Sequence, residues 1–323
     1  MKIYITGQDG SVDVSQYVTS ATLSGDYKQC ARSLKFGLAS NANDKNLDVV
    51  DCELGNGVIM EESGKEIFNG FILSRTRQTG DNEIDITAYD RGIYLKRNKA
   101  VYNVNQTPEA QAKRICTDFG ISAGDIAKTG VTVKRKFIGT ALSDILFSMY
   151  TKASEKNGKK YIIRFEGSRL CIRERSDSTV GELDGTFNLN SAVITESAES
   201  MVNCVVLYDK NGNYKSTYRD NDLIKRFGLM QSYIKDSDGT GADEAKKALS
   251  EGKVERKITV NNIGDVNFIT GNAVTVKEPY TGLKGIFQID SDSHTWKGGL
   301  YSNKLTLNFE KIMNESSAGS EEK

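Results

Sequence analysis

Residues 55–80, GNGVIMEESGKEIFNGFILSRTRQTG, and residues 271–296, GNAVTVKEPYTGLKGIFQIDSDSHTW, decide how this chain is read. In the first, Gly55-Asn56-Gly57-Val58 is followed fifteen residues after its first glycine by Gly70-Phe71-Ile72, then by a turn and the alternating strand Ile84-Asp85-Ile86-Thr87-Ala88-Tyr89. In the second, Gly271-Asn272-Ala273-Val274 is followed fourteen residues on by Gly285-Ile286-Phe287, then by a turn and the alternating strand Leu305-Thr306-Leu307-Asn308-Phe309. The same β-unit is thus expected twice, and self-similarity of this kind speaks to the whole fold. The competing reading is that any two Gly-Asn hairpins look alike.

The second stretch also carries the only histidine, His294, the only tryptophan, Trp296, and one of two prolines, Pro279. One histidine excludes every mechanism that needs two, including zincin-type metal sites. A nucleophile–His–acid triad through His294 needs partners from elsewhere in the chain, and Ser291-Asp292-Ser293-His294-Thr295-Trp296 lacks a nucleophile elbow. The expectation is a strand or turn histidine with a surface or hydrogen-bonding role, at the turnward end of a hairpin.

At 323 residues the chain is long enough for two or three domains. Forty-three basic side chains balance forty-three acidic ones, with no long run of either sign, so neither nucleic acid nor an anionic membrane is implied as partner. Met1-Lys2-Ile3-Tyr4-Ile5-Thr6-Gly7 alternates like a strand and does not read as a signal peptide, and no apolar run approaches ~20 residues, which predicts a soluble protein made in the cytoplasm. Cys30, Cys52, Cys116, Cys171 and Cys204 are dispersed and odd in number, which predicts buried thiols in a reducing compartment.

The first hundred residues read as β, with Leu34, Phe36 and Leu38 alternating and Gly55-Asn56-Gly57, Gly70 and Gly80 as punctuation. Thr107-Pro108-Glu109 then offers an N-cap, a proline at the first helical position and an acid in the first turn of a helix that Gly120 stops. Leu142, Ile145, Leu146, Met149 and Ala153 mark a second helix, ended by Asn157-Gly158, and Gly167-Ser168 turns a hairpin between Tyr161–Phe165 and Leu170–Ile172. Residues from about 100 to 180 therefore form a small α+β module. Strands resume from Phe187, interrupted by one short polar helix around Ala242–Gly252, and Asn314–Lys323 has the composition of a disordered tail.

No motif for a cofactor survives inspection. Gly64-Lys65 and Gly158-Lys159 lack the Ser or Thr and the preceding glycine of a phosphate loop. Asp236-Ser237-Asp238-Gly239-Thr240-Gly241 resembles the start of a calcium loop but has Lys247 where the bidentate glutamate belongs, and Asp209-Lys210-Asn211-Gly212 has Tyr214 where glycine is needed. Both read as turns whose side chains bond their own backbone. A glycosidase pair of carboxylates stays open among forty-three acids, while one tryptophan weakens a sugar platform. No catalytic, cofactor-binding or metal-binding residue is assigned.

Further stretches resemble a known family: Cys30-Ala31-Arg32-Ser33-Leu34-Lys35-Phe36, Gly64-Lys65-Glu66-Ile67-Phe68-Asn69-Gly70-Phe71-Ile72, Ala88-Tyr89-Asp90-Arg91, Ile115-Cys116-Thr117-Asp118-Phe119-Gly120-Ile121, Gly158-Lys159-Lys160-Tyr161, Ser200-Met201-Val202-Asn203, Gly228-Leu229-Met230-Gln231, Ile263-Gly264-Asp265 and Gly282-Leu283-Lys284-Gly285-Ile286-Phe287 with Asp292-Ser293-His294. From about Tyr17 to Phe309 the chain is similar to the XkdQ/YqbQ family of tail proteins from PBSX-like prophages and contractile bacteriocins. The resemblance implies a baseplate hub like that of T-even phages and the N-terminal part of type VI spike proteins. It implies a mainly β fold with α+β elements: two related tube-type β-barrel domains, at 1–99 and 184–313 with a helical insertion near 242–252, joined by an α+β module at 100–183 and followed by a disordered tail at 314–323.

The function implied is a non-enzymatic structural hub. It is a homotrimer whose six barrels form a pseudo-sixfold ring joining the sixfold tail tube to the threefold spike, located at the baseplate centre of a virion or tail-like particle. The implied partners are a tail tube or tube-initiator protein and a central spike protein, with tape-measure and LysM-like tail proteins as further candidates. The alternative from another class is a cell-wall glycan hydrolase or carbohydrate-binding tail component.

Overall fold

The computed structural model describes residues 1–8, 10–40, 50–80, 82–236 and 239–321. The first β-unit comprises β1 (Lys2–Gly7), β2 (Gly10–Asp13), β3 (Val18–Asp26), β4 (Ser33–Ala39), β5 (Gly57–Glu62), β6 (Lys65–Arg77) and β7 (Glu83–Asp90). The module that follows contains α1 (Gly92–Arg97), β8 (Lys99–Gln106), α2 (Pro108–Asp118), β9 (Ser122–Ile126), β10 (Val133–Ala141), α3 (Leu142–Asn157), β11 (Tyr161–Glu166) and β12 (Arg169–Glu174). The second β-unit opens with β13 (Thr179–Asp184) and β14 (Leu189–Ser197). After an insertion of β15 (Cys204–Tyr208), β16 (Tyr214–Arg219), α4 (Asn221–Phe227), β17 (Gln231–Lys235) and α5 (Gly241–Glu251), it resumes as β18 (Glu255–Ile263), β19 (Ala273–Glu278), β20 (Leu283–Lys297) and β21 (Leu300–Asn308).

The two β-units share one strand order. The first runs β3-β4-β7-β6-β5-β1 and the second β14-β18-β21-β20-β19-β13. Backbone hydrogen bonds fix the correspondence. Gly55 N–H donates to Ile72 O at 2.8 Å and Ile72 N–H to Asn56 O at 2.9 Å; Gly271 N–H donates to Ile289 O at 2.9 Å and Ile289 N–H to Asn272 O at 2.9 Å. Gly55 and Gly271 sit at φ 93° and 92°, a left-handed conformation that glycine adopts without steric cost. Both long strands then bulge at the same place, between Ile72 and Ser74 in β6 and between Ile289 and Ser291 in β20. Two unrelated Gly-Asn hairpins have no reason to share all of these features.

The clasp also corrects one anchor of the sequence comparison. Ile72 corresponds to Ile289, so Gly70 corresponds to Phe287 and not to Gly285. Gly285 has φ 137°, whereas Gly70 is required because a Cβ there would lie 2.1 Å from the Tyr89 carbonyl oxygen. The two glycines serve different needs.

The second difference concerns closure. The strands of both β-units belong to one 13-stranded sheet, continuous because Ser291–Lys297 of β20 pairs antiparallel with Ser20–Asp26 of β3. Among the described residues, no ladder closes either unit into a separate barrel.

The module is positioned as its sequence dictates. Thr107 Oγ1 accepts from Ala110 N at 3.4 Å to cap α2, Gly158 ends α3 at φ 72°, and α3 buries Ala153 and packs Leu142, Ile145, Leu146 and Met149 into one core with Phe137, Tyr161 and Phe165. The short helices α1 and α4 carry too few residues for a periodic signal and were not expected. The insertion is also larger than the single helix expected near 242–252. Residues Val193–Ile258 form a compact unit in which β16-β15-β17 pack Val205 and Leu207 against Ala245 of α5. The apolar run Cys204–Leu207 reads equally well as a strand of the larger sheet, which is why sequence alone did not separate it.

The chain end departs from its compositional expectation. Met313 is buried in the module core, Arg135 donates to the carbonyls of Ser317 at 2.8 Å and Gly319 at 2.7 Å, and Ser148 Oγ donates to Ala318 O at 2.7 Å. Ser320 exchanges two 2.9 Å backbone hydrogen bonds with Lys136. A polar segment is thus ordered by partners that composition does not record; Glu322 and Lys323 lie outside the described residues. Truncation after Met313 strips the buried Arg135 of both acceptors and is expected to cost about 1–3 kcal/mol in chemical denaturation, with faster amide exchange around Phe137.

Candidate functional site

The functional question centres on the seam where β20 meets β3. Period-two geometry puts Asp292, His294 and Trp296 on one face of β20, and all three are buried. Asp292 receives a fork from Arg32, Nη1 to Oδ1 at 3.0 Å and Nη2 to Oδ2 at 2.5 Å, while Thr270 donates its N–H at 2.7 Å and its hydroxyl at 2.6 Å to Oδ1. Burial alone pushes this carboxyl up; the Arg32 guanidinium and the His294 ring outweigh it and hold Asp292 well below the usual carboxylate range.

His294 is oriented from behind. Asn303 Oδ1 accepts from Asn262 Nδ2 at 3.1 Å and from Asp265 N–H at 2.6 Å, which turns the Asn303 amide nitrogen toward His294 Nδ1 at 2.7 Å. The Tyr301 hydroxyl also lies 2.7 Å from Nδ1, so Nδ1 accepts and the ring proton sits on Nε2. Nε2 is 3.2 Å from Asp292 Oδ2, close to the carboxylate but without hydrogen-bond alignment. No nucleophile completes a triad with this histidine among the described hydrogen bonds. Its role is to fill and orient the seam.

Trp296 performs the anchoring. It belongs to β20 yet packs into the core of the first β-unit with Leu34, Phe36 and Met60, stacks on Tyr301 at 4.3 Å, and donates Nε1–H to Glu62 Oε2 at 2.8 Å. A second buried pair holds the bulge: Arg175 donates to Ile289 O at 2.8 Å and to Asp290 Oδ1 at 2.9 Å, and Asp290 O accepts from Tyr27 N–H at 2.9 Å. Sequence reading singled out His294 and Trp296 for rarity and missed Arg32 and Thr270 as partners of Asp292 and Arg175 as the partner of Asp290. The available signal was the alternation of Asp292, His294 and Trp296, which marks one face of a strand as polar and aromatic.

Beside the seam a cleft of about 320 Å³ is lined by Lys65, Glu66, Arg164, Glu166, Arg173 and His294, among others. Glu166 bonds Arg173 at 2.7 Å and Arg164 at 2.8 Å, and these contacts, led by the Arg173 hydrogen bond, bring its carboxyl down to about 2. A glycoside hydrolase needs an acid held protonated near neutral pH, the opposite perturbation. Of the calcium-like loops, Asp209 accepts from the backbone of Asn211 and Asn213 at 2.8 Å each, and Asp236 accepts from the backbone of Gly239 and Gly241 and from Lys215; Ser237 and Asp238 lie outside the described residues. These acids are occupied in building turns. Among the described residues, no group of three or more His, Cys, Asp or Glu side chains is placed to hold a metal ion, and no helix is long and apolar enough to cross a membrane. All five cysteines are buried and unpaired.

With this geometry in place, comparison with known proteins becomes informative. The sequence model of the YQBQ-like family matches residues 21–308. The chain belongs to that family. It is 26% identical to the phage-like element PBSX protein XkdQ of Bacillus subtilis (strain 168) over 291 residues, covering 86% of this chain and 88% of the relative. Its fold is similar to that of the 43 kDa tail protein of prophage MuSo2 from Shewanella oneidensis, with TM-score 0.71, 14% identity and coverage of 95% and 97% of the two chains. It is also similar to the E. coli c3393 protein, a component of the type VI secretion system described as structurally similar to the T4 tail proteins gp27 and gp5, with TM-score 0.54, 11% identity and coverage of 100% of this chain and 80% of that one. The YQBQ-like chain therefore has a mainly β fold shared with phage tail proteins and a type VI component.

Two measurements probe the energetics of the seam. Arg32→Met leaves the buried Asp292 without its ion pair and is expected to destabilise the protein by about 3–5 kcal/mol, whereas adding Asp292→Leu recovers much of the loss. Asp90, buried where its backbone N–H meets Arg32 O, has a carboxyl pushed up by burial to about 7. The folded protein therefore binds a proton that the unfolded chain releases above about pH 4, and stability falls as pH rises from about 4 to 7. Asp90→Asn is expected to flatten the pH dependence of denaturation across that window.

Proposed function

We propose that this YQBQ-like chain is a structural baseplate hub protein of a contractile phage tail or phage-tail-like bacteriocin. It forms a homotrimer in which three copies of each β-unit build a pseudo-sixfold ring, and that ring joins a sixfold tail tube to a threefold spike. The two β-units serve as the related tube-type barrel domains of that hub, assigned to residues 1–99 and 184–313, with the module at 100–183 between them, and their sheets join edge to edge around the ring. The chain assembles in the bacterial cytoplasm, takes its place at the baseplate centre, and carries out no catalysis.

One observation carries the reading: the duplicated clasp, Gly55 and Asn56 on Ile72 and Gly271 and Asn272 on Ile289, within a common order of six strands. A threefold object meets sixfold neighbours only when each subunit offers two similar faces, and tandem β-units offer them. The buried residues of the seam support this role, since Arg32, Asp292 and His294 fix two units in one register and are occupied by one another. The fold shared with tail proteins agrees with it.

The test is light scattering of the purified chain coupled to size-exclusion chromatography, followed by negative-stain imaging with the tube and spike proteins of the same particle. Rings of threefold mass with a central channel are expected, and glycan turnover is not. A chain that stays monomeric in the presence of both partners overturns the hub reading.

A further inference from the structure

The internal seam has an unused counterpart at each end of the sheet. Within the chain, β20 pairs with β3 so that Asp292 stands opposite Gly25 and Ser293 opposite Ser24, whose hydroxyls lie 3.3 Å apart. β6 is the counterpart of β20. Beyond the shared bulge its residues Ser74–Arg77 pair with β7 on one side, and among the described residues they have no ladder partner on the other. β14 is the counterpart of β3, and among the described residues it is the terminal strand of the sheet, paired to β18 alone. One chain thus contains one completed joint and the two open halves of another.

The register of the missing joint can be carried across from the completed one. The clasps equate Ile72 with Ile289, so Arg75 and Thr76 correspond to Asp292 and Ser293. In β14, Ser191 bonds Asn261 and Glu196 bonds Arg256 through side chains, both contacts fitting one antiparallel register in which these residues face each other, and Asn262 of β18 bonds Asn303 of β21. Followed through the ladders of β3 with β4 and β4 with β7, these contacts equate Ser24 with Thr195 and Gly25 with Glu196.

We propose that Ser74–Arg77 of one copy pairs antiparallel with Val193–Ser197 of β14 in the next copy, with Thr76 opposite Thr195 and Arg75 opposite Glu196. This rests on the ring reading above and supplies its intermolecular joints. The occupant of each open edge is a second copy of this chain for two reasons. A hydroxyl meets a hydroxyl where Ser24 meets Ser293 in the completed joint, and opposite charges meet at the neighbouring position. The contact is also head-to-tail, the kind that closes a ring. The exposed backbone of Ser74–Arg77 and β14 gains ladder hydrogen bonds that solvent otherwise provides.

The two joints differ in chemistry. The internal one buries its ion cluster, whereas Arg75 and Glu196 are accessible and already engage Glu53 at 2.9 Å and Arg256 at 2.6 Å, respectively. The intermolecular joint is therefore a four-charge surface network that salt screens, and the ring opens at its three intermolecular joints before any internal one.

The test uses the full-length chain carrying Thr76→Cys and Thr195→Cys, oxidised mildly and resolved on a non-reducing gel beside light scattering of the same sample. Covalent dimers and trimers ending at three chains are expected, with none from either single variant. A control with Thr76→Cys and Ser191→Cys shifts the pair by four residues, about 13 Å along the strand, and should not cross-link. Glu196→Arg should weaken self-association by about tenfold or more, and Arg75→Glu in the same chain should restore it. A trimer that forms without the designed cross-link, or cross-links equally in the shifted control, overturns this pairing and leaves the hub reading standing. A chain that remains monomeric and uncross-linked at the highest attainable concentration also overturns the pairing, while imaging with tube and spike decides the hub reading separately.

Discussion

A strand edge with unmet backbone groups is the constraint on which this molecule depends. The second half of β20, beyond its bulge, cannot pair with β19, whose ladder with β20 ends at Gln288. It pairs instead with β3, turning two β-units into one sheet. The bulge between Ile289 and Ser291 makes this possible, since the extra residue lets one long strand change partners along its length. Arg175, buried against Ile289 O and Asp290, satisfies the polar groups that the bulge leaves over.

Backbone pairing alone does not fix a register, because a strand can slip by two residues and keep its faces. The buried polar cluster removes that freedom. A slip of two would leave the Asp292 carboxylate without Arg32 and withdraw Trp296 from its place beside Met60 and Glu62. Each of these groups is expensive to bury unpartnered. The rarest side chains of the chain are concentrated here because a joint between two units needs a unique alignment.

Much of this architecture was legible in the sequence. The clasp glycines Gly55 and Gly271 were visible because a left-handed turn restricts residue choice, and α2 and α3 were visible because caps and periodicity are local signals. What remained hidden depends on distant partners. Gly285 looked like the mate of Gly70 because letters were matched where hydrogen bonds should be. The end of the chain looked disordered because its anchors, Arg135, Lys136 and Ser148, are more than 160 residues away. The seam was hidden for the same reason, since Arg32 and Asp292 are separated by 260 positions.

The two units have diverged where the insertion enters. In the first unit β3 and β4 are joined by a short loop, and Arg32 immediately before β4 reaches across to Asp292. In the second, the corresponding connection between β14 and β18 spans residues 198–254, and the position equivalent to Arg32 is Arg256 at the start of β18. The position equivalent to Asp292 is Arg75. A copied lock would set two guanidinium groups against each other, which is repulsive at any register. Glu196, standing where the first unit has Gly25 and bonded to Arg256, supplies the negative charge that the substitution of Asp292 by Arg75 removed. The duplicated joint has kept its shape and exchanged its charges, so an internal joint cannot be mistaken for an external one.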